Sequence, residues 1–253
     1  MKPKFYTLPP IDGWPYVLIN ANRPNLSYVR RNWRHIESVI IDSGVEIFRS
    51  RAVKDYPPNW FEKLIGLYNW VKTYVKHVMV TVPDYPDDYN AGSLWVDGKT
   101  NIERTVDNIV YALDHYPKVD WLIPIQGWNK KPCSLALSIR YLRDLGIIKK
   151  KGYFAIANLC VENRVDIILK SVGLVRSLLP NKRLHVFGIK INALRKIHHL
   201  IDSFDSFAWT RPILRRGHSA KNLIERRQYF YDWLNRFQSI PRLISLEVER
   251  DGG

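Results

Sequence analysis

Ser38–Gly44 (SVIIDSG), Asn59–Lys76 (NWFEKLIGLYNWVKTYVK) and His77–Asp84 (HVMVTVPD) are the stretch whose reading decides the fold. The two flanking pieces are short, β-branched and apolar almost throughout, as strands covered on both faces are. Between them Trp60, Leu64, Leu67, Trp70, Val71 and Tyr74 recur at helical spacing. A strand, an amphipathic helix and a second strand make a βαβ unit, whose long crossover lets the two strands run parallel.

The same alternation extends in both directions. Strands are expected at Tyr16–Ala21, Ser38–Ser43, His77–Val82, Trp121–Ile125, Tyr153–Cys160, Leu184–Ile189 and Ser206–Thr210. Helices are expected at Asn59–Lys76, Thr100–His115, Ser134–Leu145, Val165–Leu179 and Ala193–Ile201. Thr100 and Glu103 have the spacing of a capping box, and Pro180 stops the fourth of these helices. His218–Gln238 reads as a long charged helix, and Leu243–Val248 (LISLEV) as a last strand after a Pro-rich lead-in at the start. Repeated strand–helix alternation means a parallel sheet, and this many units in 253 residues favours a closed (β/α)8 TIM barrel in one domain over an open doubly wound sheet.

Composition narrows the function. The chain is 46% hydrophobic, ordinary for a globular protein, and no apolar run reaches the roughly 18 to 20 residues of a membrane span. Its two cysteines, Cys133 and Cys160, make neither a disulfide framework nor a four-cysteine zinc site, so a reducing, cytoplasmic setting is expected. His198 and His199 are adjacent on a helix and point about 100° apart, so no metal or other cofactor is expected. The net charge of +15 is the electrostatic footprint of a nucleic-acid partner, or else a solvated basic surface.

In a barrel the chemistry gathers where strands end and βα-loops begin. Those positions carry Asp42-Ser43-Gly44, Asp84, Gln126-Gly127-Trp128, Asn158-Leu159 with Glu162, Gly188, and Asp205 through Thr210-Arg211. One aspartate alone would cap a helix or shape a turn; polar groups at successive strand ends point to a pocket. Two aspartates facing one substrate can divide labour, one attacking carbon and the other handling the proton of the leaving group, as in substitution at an anomeric carbon. Asp84, Gln126 and Asn158 match the donors and acceptors of a purine edge, with Tyr85 and Trp128 as rings to stack on it.

These segments resemble the guanine transglycosylases, the queuine and archaeosine tRNA-ribosyltransferases and their DNA-acting relatives. Asp42-Ser43-Gly44 is similar to the family's DSG, Ile125-Gln126-Gly127 to its VQG, and Tyr153–Val161 with Glu162 to its YAIGGLAVGE strand. His185–Lys190 (HVFGIK) is similar to its MGVG strand, and Phe204-Asp205 with Thr210-Arg211 to its FD-x4-TR. The resemblance implies a (β/α)8 barrel that exchanges guanine for a 7-deazaguanine base in DNA or tRNA through a covalent aspartyl-nucleotide. It implies Asp205 as nucleophile and Asp42 as general acid/base. Ser43, Asp84, Gln126, Gly127, Asn158, Leu159 and Gly188 would hold the base. The family's three-cysteine, one-histidine zinc site has no counterpart here, and Ala157-Asn158 replaces its Gly-Gly. A compact chain without zinc or the archaeal RNA-binding domain fits the DNA-acting branch, including a viral or mobile-element version.

Arg211, Arg215, Arg216 and Lys221, with Arg226 and Arg227, follow Asp205, while Arg30, Arg31, Arg34, Arg49 and Arg51 bracket the Asp42 strand. Both groups are expected to flank one barrel mouth and hold a phosphate backbone. Two other readings stand beside base exchange: a non-catalytic, basic nucleic-acid-binding protein on a degenerate barrel, and an N-glycosidase using the same two aspartates with water. The polymer, the incoming base and the assembly state, a homodimer included, are left open.

Overall fold

The computed structural model describes residues 2–50, 52–87, 94–210 and 222–251, with side chains up to residue 240. Eight parallel strands run in the order of the chain: β1 (Lys4–Tyr6), β2 (Tyr16–Asn20), β3 (Ser38–Asp42), β4 (His77–Thr81), β5 (Trp121–Ile125), β6 (Tyr153–Ile156), β7 (Arg183–Val186) and β8 (Ser203–Asp205). β8 pairs with β1 in parallel, Phe204 opposite Phe5. The last seam, between β1 and β2, is a parallel bridge at Thr7: its N–H donates to the Tyr16 carbonyl at 3.2 Å, and its carbonyl accepts from the Leu18 N–H at 3.1 Å. The fold is the expected (β/α)8 TIM barrel.

The helices are α1 (Leu26–Asn32), α2 (Trp60–Lys72), α3 (Asn101–His115), α4 (Pro132–Asp144), α5 (Ile147–Lys150), α6 (Val165–Leu178), α7 (Ile191–Ile197) and α8 (Leu223–Asp251). The capping box of α3 forms in full: Thr100 Oγ1 accepts from the Glu103 N–H, and Glu103 Oε2 accepts from the Thr100 N–H at 2.8 Å. No helix among the described residues is long and apolar enough to cross a membrane.

Five boundaries differ clearly from expectation. The Pro-rich lead-in holds β1, while Leu243–Val248 continues α8. Three residues are too few to show a periodicity. They become a strand because β8 and β2 offer hydrogen bonds on both sides and Phe5 packs on Phe204 and Trp233, with ring centroids 5.1 and 4.4 Å away. The strand expected at Ser206–Thr210 lies earlier, at Ser203–Asp205, and Ala208–Thr210 is a single 3-10 turn. The strand expected to reach Cys160 ends at Ile156, and residues 158–161 turn. The helix expected to begin at His218 begins at Leu223, with residues 218–221 outside the described ones.

Alternation along each strand sorts the core into two shells. Val39, Ile41, Val78, Val80, Ile123, Phe154, Ile156 and Val186 belong to the large cluster shared with the helices. Tyr6, Leu18, Ile40, Leu122, Tyr153 and Ala155 form the barrel interior, with Tyr16, Met79 and Phe187 packed against them. The same alternation sends Asp42, two residues beyond Ile40, to the inner face at the C-terminal mouth.

Candidate active site

The mouth is built from side chains at the ends of β2, β3 and β8 and in the loops after β3 to β7. Asp84, just beyond β4, is buried at 4% exposure and already engaged on both oxygens. Ser43 Oγ donates to Oδ1 at 2.8 Å, and Gln126 Nε2 donates to Oδ2 at 2.8 Å. The other end of the Gln126 amide accepts from the Gly127 N–H at 3.0 Å, so its orientation is set. Burial outweighs these donors and pushes the Asp84 carboxyl up to about 6. Each carboxylate oxygen retains a lone pair for a further donor.

Asp42 ends β3. Its carboxyl is held well above the usual carboxylate range, first by desolvation and then by the negative charges of Glu46, Asp205 and Asp84. Those four acids therefore share one mouth. Asn20, at the end of β2, links two of them: its amide lies 3.5 Å from Asp42 Oδ2 and donates to Glu46 Oε2 at 2.6 Å.

Asp205 ends β8. Its Oδ1 receives the Gly188 N–H at 3.0 Å and lies 3.3 Å from His185 Nε2, while Oδ2 takes no hydrogen bond from any described residue. One oxygen is anchored and the other is left for chemistry. Had the strand begun at Asp205, as its expected placement at 206–210 implied, this carboxylate would stand at the opposite end of the barrel from Asp42.

Asn158 is the unfinished part of the site. Its side chain is 1% exposed, yet neither Oδ1 nor Nδ2 has a partner among the described residues. An unsatisfied buried amide costs on the order of 1–3 kcal/mol, so a water or a ligand with both a donor and an acceptor is called for. Gly127 makes room for it: a Cβ there would stand 2.0 Å from Asn158 Nδ2.

At Gly188, expected to admit a base closely, the near neighbour in the structure is Cys160. Gly188 adopts φ +67°, and a Cβ would stand 2.6 Å from Cys160 Sγ and 2.8 Å from Cys160 Cα. Cys160 fills that space, and Gly188 serves the site through its N–H to Asp205. Gly188→Ala is expected to cost about 3 kcal/mol, from left-handed strain plus overpacking against backbone. Chemical denaturation would read this as a lowered midpoint with an unchanged slope.

Tyr85, Leu159, Trp128 and Glu162 were also expected near the site. Tyr85 is buried, donates to Asp55 Oδ1 at 2.5 Å and lies under the Arg104 guanidinium at 3.8 Å, so its ring is not free to stack on a base. Leu159 is fully buried in the outer core, and its carbonyl closes a turn with the Glu162 N–H at 3.1 Å. Trp128 is partly exposed, with Trp95 at 5.8 Å and Lys131 Nζ at 4.5 Å from its ring. Glu162 is tied to Arg164 at 2.9 Å, which with nearby N–H groups lowers its carboxyl to about 2.

Among the cations, Arg49 is exposed on the 3-10 turn Val45–Arg49, which follows β3 at the mouth. Arg30, Arg31 and Arg34 do not flank that mouth. They sit where α1 and the turn Trp33–His35 lead into β3, toward the N-terminal end, because helices of βα units run back against the strands. Arg211, Arg215, Arg216, Lys221 and Arg51 lie outside the described residues. A cavity of about 1220 Å³ opens at that N-terminal end, lined by Lys4, Tyr16, Ser38, Tyr153 and Arg183 among others, and by none of the expected site residues.

Asn20, Glu46 and His185 were not singled out by sequence. Asn20 carries the signal that marked the others, an amide closing an apolar strand (YVLIN). Glu46 stands four residues beyond Asp42, in a turn no periodicity announces, and His185 sits inside an apolar strand. Among the described residues no group of three or more His, Cys, Asp and Glu is placed to hold a metal. Neither protein-family models nor curated protein sequences yield a match to this chain.

Proposed function

We propose that the protein exchanges a purine base in a polynucleotide, replacing guanine with a 7-deazaguanine in DNA or tRNA. The observation that carries this reading is the pair of unlike carboxyls in one barrel mouth. Asp42 is raised by burial and by its acidic neighbours, and Asp205 has one oxygen anchored and the other unengaged.

In the reaction, Asp205 Oδ2 attacks C1′ of the target nucleotide, and the C1′–N9 bond breaks with its electron pair leaving on the base. Asp42, a carboxylic acid at this stage, gives the departing guanine its proton. The product is an ester between Asp205 and C1′, with Asp42 now a carboxylate. The incoming base loses its N9 proton to Asp42, and N9 attacks C1′, so that the Asp205 carboxylate is released. Both groups return to their starting states.

Asp84, Gln126 and Asn158 would read the purine edge: carboxylate lone pairs for N–H donors, and the unpartnered Asn158 amide for one donor and one acceptor. The target base has to leave its stack to reach this depth. Arg49 at the rim is placed for a phosphate.

The test is incubation with radiolabelled guanine or 7-deazaguanines and either DNA or tRNA. Label entering one polymer supports the reading and identifies the polymer. Base released without incorporation of a replacement would show an N-glycosidase instead, and salt-sensitive binding without either would show a non-catalytic binder.

A further inference from the structure

A hydrogen-bonded column runs through the barrel interior and ends on Asp205. Tyr153 at the floor is hydrogen-bonded to Ser203 Oγ, and Ser203 Oγ lies 2.6 Å from His185 Nδ1. His185 Nε2 then lies 3.3 Å from Asp205 Oδ1. His185 and Ser203 are 0% exposed, and the imidazole is flanked by the Phe187 and Tyr6 rings at 4.6 and 5.9 Å.

Resting on the base-exchange reading, we propose that His185 is a positioning residue: locked by Ser203 and Tyr153, it anchors Asp205 Oδ1 so that Oδ2 faces the substrate. The protons are ordered by chemistry. The Asp205 oxygen accepts the Gly188 N–H and lies on the imidazole Nε2, which therefore carries the ring proton. Nδ1 then accepts from the Ser203 hydroxyl, whose oxygen accepts from Tyr153. Every member has one role, and the column has one direction.

The grouping of Ser203, His185 and Asp205 also looks like a nucleophilic triad, and the geometry separates the two. Ser203 Oγ is wholly buried and engaged twice, so no carbonyl can reach it, whereas Asp205 stands at the mouth. Leu18, Ile40, Leu122 and Ala155 make the apolar part of the interior and would pack as well around an apolar residue, while the other polar pair there, Tyr6 Oη donating to Ser38 Oγ at 3.0 Å, stands apart from the column. A polar column placed there serves the one carboxylate on which it ends.

The experiment combines kinetics with a substrate-free signal. His185→Phe removes the donor and keeps a ring; kcat for base exchange is expected to fall about 100-fold with KM for the polynucleotide within about twofold. His185→Gln returns an amide N–H near the Nε2 position and is expected to recover about tenfold of the loss. In protein labelled with 15N-histidine, the His185 resonances should report Nε2–H with bare Nδ1, and the Nε2–H signal should move in Asp205→Ala. Unchanged kcat in His185→Phe, no recovery in His185→Gln, or an Nδ1–H tautomer indifferent to Asp205→Ala would overturn the proposal. Absence of exchange in the wild-type protein would overturn the functional reading itself, and the nuclear resonance pair would then decide by itself whether the column holds Asp205. A fold that His185→Phe disrupts would show in circular dichroism, leaving His185→Gln and the resonances to decide.

Discussion

Asp205→Asn is expected to lower base exchange by at least about 10⁴-fold, the scale on which removal of an attacking nucleophile acts. The amide is close in size to the carboxylate and can still accept from Gly188 and His185 through Oδ1, so the fold and the mouth should persist. On the proposed base-exchange reading, what is lost is the anionic oxygen that attacks C1′, so no ester to the nucleotide would form. Polynucleotide affinity, proposed to rest on cations and not on Asp205, should change by no more than about twofold. Single-turnover incorporation of labelled guanine and a filter-binding titration at one salt concentration measure the two sides. Exchange at the wild-type rate in Asp205→Asn would sink the assignment of the nucleophile.

Asp42→Asn is expected to separate stability from activity. If Asp42 gives and takes the base's proton as proposed, its loss should slow exchange by about 10²- to 10⁴-fold. The stability effect has the opposite sign. The Asp42 carboxyl is raised in the folded protein above its ordinary value of 3.8. Between those two values the folded state keeps a proton that the unfolded chain has released. Stability therefore falls as pH rises through that window, and the full deficit applies above the folded value. Asparagine carries no charge and escapes the deficit. The variant should thus melt higher than wild type near pH 8 and about equally near pH 3, where both forms of the wild-type carboxyl are protonated. Asp84, pushed up to about 6, acts in the same direction, by about 3 kcal/mol for a shift of that size. Thermal melts of wild type and Asp42→Asn across this range test the prediction, and a variant that melts lower near pH 8 would contradict it. A mouth that holds Asp42, Glu46, Asp84 and Asp205 together gives up stability for chemistry.

Much of this arrangement was legible beforehand, for a simple reason. Strands β2 to β7 are long enough to show their apolar runs, and the runs of β3 to β6 are followed by the polar residues Asp42, Asp84, Gln126 and Asn158. The two misplaced strands, β1 and β8, have three residues each. At that length periodicity carries no information, and each is a strand only because its neighbours supply hydrogen-bond partners. The misreading of Tyr85 has a similar cause. Next to Asp84 in sequence it looks available to a base, but Arg104 from α3 covers its ring.

The glycines show the same division. Gly127 and Gly188 stand in the expected places, yet the atoms that require them to be glycine, Asn158 and Cys160, come from the turn after β6. His185 goes furthest. In the sequence it is one polar residue in an apolar strand, and nothing near it in the chain says which neighbour its two nitrogens meet.

By itself, then, the amino-acid sequence determined the parallel barrel, the strand ends at which polar chemistry stands, and the aspartates among them. Local pattern suffices there, because burial on both faces demands largely apolar strands, with the aspartates standing at their ends. Only the tertiary structure decided that Asp42, Asp84 and Asp205 share one electrostatic field, that Asp205 is held through a single oxygen, and that His185 reaches it through the interior. Those contacts exist only once β1 closes the ring between β8 and β2, since closure sets which strand ends face one another across the mouth.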